Sequence, residues 1–326
     1  MKGQRRSLLL FAVASLLFGG TFVAAKAGLS YFPPLLFVAL RFDVAAVVLI
    51  GYVVVTTPRT DLVPRTRDDV VGILATGVLA IGLTNALLFV GQQHATSAVG
   101  AIVFSLNPIL TPVFAAVLLA DERLSARGAA GMVLGLLGVG LVVSPDPANL
   151  LAGGVGKAIL FAGAVSGALG SVLIRWADGG LDSSVRTAWG LPFGAALAHA
   201  LSWASGESAA AITWSGEALL ALGYVAIGAG AVAYIAYFDL LDTAGAIRAN
   251  LVFYVVPVVA TLGGWALLAE SIAPTAVAGF LTIFAGFAVL GSESVDVPTI
   301  VATLRERGPS SDSLTGHDDA PGYGSD

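Results

Sequence analysis

Cysteine is absent from the chain. That excludes disulfides, thiolate metal sites and cysteine nucleophiles. Charge is scarce as well: Asp, Glu, Lys and Arg make up only 11% of the 326 residues, against about a quarter in soluble domains. Histidine occurs three times. No stretch carries the spacing of a metalloprotease helix, a nucleophile elbow or a phosphate-binding loop. No catalytic residue, metal or cofactor is therefore expected. The formal net charge of −5 comes without a basic patch, so nucleic acid is not an expected partner.

What the chain does have is apolar length: 57% of its residues are hydrophobic. A soluble fold cannot hide that much apolar surface, whereas a bilayer can. The apolar runs are long rather than alternating, and a helix of about 20 apolar residues crosses the hydrocarbon core. The reading is an all-α integral membrane protein with about ten transmembrane helices. The spans fall near 7–25, 35–55, 70–90, 97–119, 128–144, 154–174, 187–204, 217–238, 247–269 and 274–292. Basic residues cluster in alternate loops: Arg59, Arg65 and Arg67, then Arg123 and Arg127, then Arg175 and Arg186, then Arg248. With Lys2, Arg5 and Arg6 they place both termini in the cytoplasm, in a multi-pass protein of the cytoplasmic membrane. The segment 294–326 is acidic, and polar and Gly-rich from Ser310 on; it is expected to form a disordered cytoplasmic tail.

Two stretches repeat one another. HATSAVGAIVFSLNPILTPVFAAVLLADERLS starts at His94, and DTAGAIRANLVFYVVPVVATLGGWALLAESI starts at Asp242. Each opens on small residues, runs through a proline (Pro108, Pro257) and ends at a glutamate (Glu122, Glu270). They occupy the fourth and ninth spans, an odd number apart, so they cross in opposite directions. The reading is two inverted five-helix repeats, residues 1–148 and 149–293. Such repeats are typical of secondary transporters, with the substrate near mid-membrane between the halves.

At these residues the sequence resembles the EamA-type proteins of the drug/metabolite transporter superfamily. FGGTFVAAKAGLSYFPPLLFVALRF, with Lys26, Pro33, Pro34 and Arg41, adds to the likeness, which covers about Ser7 to Gly291. The resemblance implies a ten-helix carrier with a central cavity, moving small organic metabolites such as amino acids or nucleobases, often outward. One departure stands out. Family members often carry a glutamate just before the second-half proline, where this chain has Val256; the first half has Asn107 there.

Polar residues within spans are costly, so each invites a role. Asn107 and Tyr254 lead the candidates for substrate binding, with Asn250, Asn85 and Tyr234 beside them. Pro108, Pro112 and Pro257 are the candidate helix breaks, because proline removes a backbone donor and frees a carbonyl one turn earlier. Lys26 and Arg41 have two readings. They could form a cationic pair near the outer mouth for an anionic or zwitterionic substrate. Alternatively, Lys26 snorkels to the interface and Arg41 pairs with a helix carbonyl or Asp43. Asp43, His94 and His199 are the titrating groups that proton coupling would need; coupling to protons or to sodium stays open. Glu122 and Glu270 are expected to cap or pair at the start of the next helix. Gly131 and Gly135, extended by Gly138, form a small-residue face for close helix packing. A channel and a polytopic lipid-modifying enzyme are the alternatives. The enzyme would have to use the loop pairs Asp178/Asp182 or Asp239/Asp242.

Overall fold

The computed structural model describes residues 2–119, 126–143, 154–244 and 252–291. Among these the chain is all helix, with no strand. The helical rods are α1 (Lys2–Gly28), α2 (Pro34–Thr56), α3 (Arg67–Gln92), α4 (Ser97–Leu118), α5 (Ala126–Val143), α6 (Gly154–Ala177), α7 (Ser183–Ala204), α8 (216–244), α9 (Val252–Leu268) and α10 (Pro274–Gly291). Six of them, α1, α2, α3, α4, α6 and α8, are long and apolar enough to cross a bilayer. Shorter apolar stretches occupy Val255–Leu268 in α9 and Pro274–Gly286 in α10.

Local chemistry sets the ends. Thr66 caps α3 in a reciprocal box with Asp69, and Thr96 caps α4 through the Val99 N–H. Such caps satisfy amides that have no partner within the helix. Pro34 opens α2, where its missing N–H costs nothing. Glu207 accepts from the Leu35 and Leu36 N–H groups at 3.1 and 2.8 Å. Tyr31 donates to Glu217 at 2.6 Å, and this hydrogen bond raises the phenol's pKa.

Three interruptions depart from simple α-helix. In α4 the helix stops at Phe104, turns through Ser105 and Leu106, and restarts at Asn107. Pro108 cannot donate to the preceding turn, so a break there is the expected consequence. Pro257 behaves differently: α9 runs unbroken from Val252 to Leu268 across it. Only one backbone donor is lost, and the helix tolerates it. The other two interruptions are π-helical segments, Ala75–Leu83 in α3 and Tyr224–Val232 in α8. Hydropathy does not foretell them. In α3 the Thr84 hydroxyl donates to the Leu79 carbonyl at 2.7 Å, and Ser166 of α6 donates to the same oxygen at 3.0 Å.

Packing is reciprocal along the chain. α1 lies against α8 and α9, while α6 lies against α3 and α4. α2 packs on α7 and on the π segment of α8, while α7 packs on the π segment of α3. The face of α5 meets α10 as its small residues suggest. A Cβ on Gly286 would come 2.6 Å from the Gly131 carbonyl and 2.8 Å from the Gly135 nitrogen. One on Gly138 would come 2.7 Å from the Gly279 carbonyl.

Candidate functional site

Same-face spacing on α1 places Ser15, Phe18 and Phe22 in one column. On α3 the same rule aligns Asn85, Phe89 and Gln92. Against the second column comes Arg41 of α2, only 3% exposed. Its Nη1 donates to Asn85 Oδ1 at 2.9 Å. The Asn85 amide nitrogen donates back to its own helix, to the Ile81 carbonyl at 2.8 Å, which holds the oxygen toward Arg41. The guanidinium stands 5.2 Å from the Phe42 ring centroid and 5.6 Å from that of Phe89. Arg41 Nε is buried without a partner. Tyr234 of α8 is near enough to interact electrostatically with Arg41. Tyr234 also meets Phe18 edge-on at 5.2 Å, and Phe18 stacks on Phe253 at 6.2 Å. Tyr237 closes this group against Phe253 at 5.5 Å.

Asn107 faces α6, where a Cβ on Gly167 would come 3.1 Å from its Nδ2. Its Oδ1 is buried with no partner. Gln92, fully buried, donates to the Phe22 carbonyl at 3.0 Å and leaves Oε1 without a partner. A core of satisfied amides would not leave these acceptors open.

Both flanks carry charge. At one, Lys26 Nζ donates to the Gln92 carbonyl at 2.6 Å. Beside it, Glu270 accepts from the Ser97 N–H at 3.0 and 3.1 Å and from the Ser97 hydroxyl at 3.3 Å. The chain turns there through Ala269, at φ +52°. At the other flank Arg6 Nη2 lies 2.8 Å from both carboxylate oxygens of Asp239. On the protein's flank, between α2 and α7, His199 Nε2 pairs with Asp43 Oδ2 at 2.8 Å, both about half-exposed.

The structure thus gathers Arg41, Asn85 and Tyr234 and sets Lys26 apart, two helical turns along α3 beside Gln92. The cationic pair of Lys26 with Arg41 does not form. Nor does Arg41 take Asp43, which belongs to His199. Glu270 caps α4, not the helix that follows it. Pro108 and Tyr254 lie in described helices, Pro112 within the second segment of α4; Asn250 and Glu122 lie outside the described residues. Phe18, Tyr237 and Gln92 were not among the candidates, though their spacing on the candidate helices marks them. A cavity of about 290 Å³ opens between α4, α9 and α10, walled by Val99, Ile102, Pro257, Thr261 and Phe280. Its lining has no charged group, whereas a substrate site needs strong polar anchors. Among the described residues no three His, Asp or Glu side chains converge as metal ligands.

The EamA-like transporter family model matches residues 5–144 and again residues 155–292. The chain belongs to the EamA-like transporter family. This EamA-like chain is 24% identical over 292 residues to the Bacillus subtilis uncharacterized transporter YvbV, covering 89% of itself and 93% of that protein. To B. subtilis YyaM, also named an uncharacterized transporter, it is 29% identical, covering 75% and 80%. The Escherichia coli K12 protein YedA, named an uncharacterized inner membrane transporter, is 28% identical, with 81% and 83% covered. A solved crystal structure aligns with a TM-score of 0.60 and 25% identity, over 87% of the EamA-like chain and 96% of the other. The chain is therefore a multi-pass membrane protein of a transporter family.

Proposed function

We propose that the protein is a secondary carrier that works by alternating access, with ten spans in two inverted halves, 1–148 and 149–293. The observation that carries this reading is the reciprocal packing of the rods. The first helix of each half lies against the third and fourth helices of the other. One displacement along the chain takes Ala75 to Tyr224 and Leu83 to Val232, the bounds of the two π segments. The same displacement takes Pro108 to Pro257 and Asn85 to Tyr234. Two like halves of opposite orientation exchange shapes, and so open one central site to either side in turn.

That site lies between α1, α3, α4, α6, α8 and α9. Arg41, Asn85, Tyr234 and Asn107 are its anchors, with Asn250 and Tyr254 on the second-half side and Lys26 at the outer rim. Its cargo is a small organic metabolite, of the size of an amino acid or nucleobase, moved outward across the cytoplasmic membrane. Both termini lie in the cytoplasm. A reporter active only outside the cytoplasm, fused after Asp326, is expected to stay silent; activity there would invert the topology.

Counterflow tests the carrier. Liposomes loaded with mixed amino acids, organic acids and nucleobases should accumulate tracer of one class, and an imposed proton or sodium gradient reveals any coupling. Asn107→Ala and Tyr254→Ala should each lower the rate about tenfold or more with folding intact. Full rates in both would remove α4 and α9 from the site. A folded protein that accumulates no tracer would end the carrier reading.

A further inference from the structure

We infer that Arg41 receives the anionic group of the substrate, and that this group is a single carboxylate on an apolar or aromatic body. The inference rests on the carrier reading and narrows its cargo. A guanidinium presents its N–H donors in a rigid planar fork. Here one donor meets the Asn85 amide oxygen, and buried Nε meets nothing. Two ring faces and the Tyr234 phenol lie beside the guanidinium.

No described carboxylate pairs with this cation. Asp43, two residues on, is held by His199. Glu270 is held by Ser97, Asp239 by Arg6, Glu217 by Tyr31, and Glu207 by Ser202 and the start of α2. Asp69 caps its own helix and accepts from Gly180. A buried cation without a counter-charge is strongly unfavourable, and more so inside a bilayer. An amide oxygen and two aromatic faces offset only part of that cost. A residue kept there for structure alone would be expected to have a carboxylate beside it.

A carboxylate supplies what is missing. Its two oxygens match the guanidinium fork, and the ionic hydrogen bonds would engage the free Nε. One cation balances one negative charge, so a doubly charged phosphate fits less well. The walls name the rest of the ligand. Phe18, Phe42, Phe89 and Tyr234 offer apolar faces, and Lys26, two turns along α3 beside Gln92, is occupied by a carbonyl near Glu270. Asn85 and Tyr234 are corresponding positions of the two halves, so the cation stands where the halves meet. Binding of the anion removes an unbalanced charge from that junction. The loaded carrier then reorients more readily than the empty one, and exchange outruns net efflux.

Thermal unfolding of the purified protein tests this with acetate, pyruvate, benzoate and 3-phenylpropionate, each set against its neutral amide. Ligands that bind the folded state raise its midpoint. At least one carboxylate is expected to raise it where the matched amide does not. Asn85→Asp supplies the missing counter-charge from the protein itself. It is expected to fold at least as stably as the wild type and to bind that carboxylate about tenfold or more weakly. Arg41→Gln should abolish the response. No shift from any of the four acids, equal shifts from acid and amide, or unchanged affinity in Asn85→Asp would each overturn the inference. Counterflow separates it from the carrier reading. Exchange of neutral or cationic tracers alone leaves the carrier standing and sinks the anion site. Carboxylate binding without exchange of any tracer does the reverse.

Discussion

Gly77→Val is expected to destabilise the folded protein by about 3 kcal/mol or more, at the upper end of overpacking costs. α3 crosses α7 there with backbone against backbone. A Cβ on Gly77 would lie 2.3 Å from the Gly190 carbonyl oxygen and 3.0 Å from its Cα. Gly194 also approaches the Gly77 carbonyl, with a would-be Cβ at 3.0 Å, and one on Gly82 would come 3.1 Å from Gly194 Cα. Backbone atoms cannot rotate aside as a flexible side chain does, so the helices must separate. Separation opens a gap along the π segment and pulls on α2, which packs on α7 and carries Arg41. Small residues drive helix association in membranes through this close approach. Gly51→Ala is the control: a Cβ on Gly51 meets nothing within 4 Å. That change should shift stability by no more than about 1 kcal/mol, either neutral or stabilising through helix propensity. The unfolding midpoint, followed by tryptophan fluorescence in detergent, reads both. Equal stability of the two variants would mean that α3 and α7 do not touch through their glycines.

The same crossing shows what can be read from sequence and what cannot. Helix positions follow from hydropathy, because a helix buried in lipid must be apolar throughout: α2 spans Pro34–Thr56 where 35–55 was expected. The small-residue face of Gly131, Gly135 and Gly138 was legible for the same reason, since few other patterns suit close backbone approach. The π register was not. ATGVLAIGL and YVAIGAGAV read as ordinary apolar runs, and in the first of them the Leu79 carbonyl is met by hydroxyls of Thr84 and, from another helix, Ser166. Proline gave a mixed signal. Pro108 breaks α4, with a further proline four residues on, whereas Pro257 alone leaves α9 continuous. In the site, the polar residues announced themselves by their cost in lipid, but their partners did not. Partnership depends on helix rotation, which set Arg41 toward Asn85 and left Asp43 on the opposite side with His199. Glu270 shows the limit most plainly. Local rules assign a helix-end glutamate to the following helix, and its ligand here, Ser97, lies in the other half of the chain.

That long-range contact sets up the second large effect. Glu270→Ala is expected to open the Lys26 flank of the site, the outer one in the proposed topology. The carboxylate sits on the α9–α10 link and accepts from the first amide of α4, where the helix dipole favours negative charge. It also balances Lys26 at the end of α1, whose ammonium is tied to the last turn of α3. One side chain thus joins α1, α3 and α4 of the first half to the second half. Without it the α4 amide loses its acceptor and Lys26 its nearby negative charge together. Because the chain has no cysteine, a single introduced thiol reports access cleanly. Ala101→Cys, one turn below Ser97 and 1% exposed, should react slowly with an impermeant maleimide added outside. With Glu270→Ala added, the rate should rise about tenfold, the effect of a shift of roughly 1.4 kcal/mol in the closed-to-open balance. Glu270→Gln keeps an acceptor for Ser97 but no charge for Lys26, so it should fall between the two. Unchanged labelling in both variants would place the seal elsewhere. The displacement that relates Pro108 to Pro257 also takes Lys26, in the last turn of α1, to Arg175, in the last turn of α6. In the proposed inverted topology the corresponding latch lies on the cytoplasmic side, and Arg175→Ala should not raise labelling from outside. If it does so as strongly as Glu270→Ala, the two flanks are not gated in alternation, and the carrier mechanism loses its structural basis.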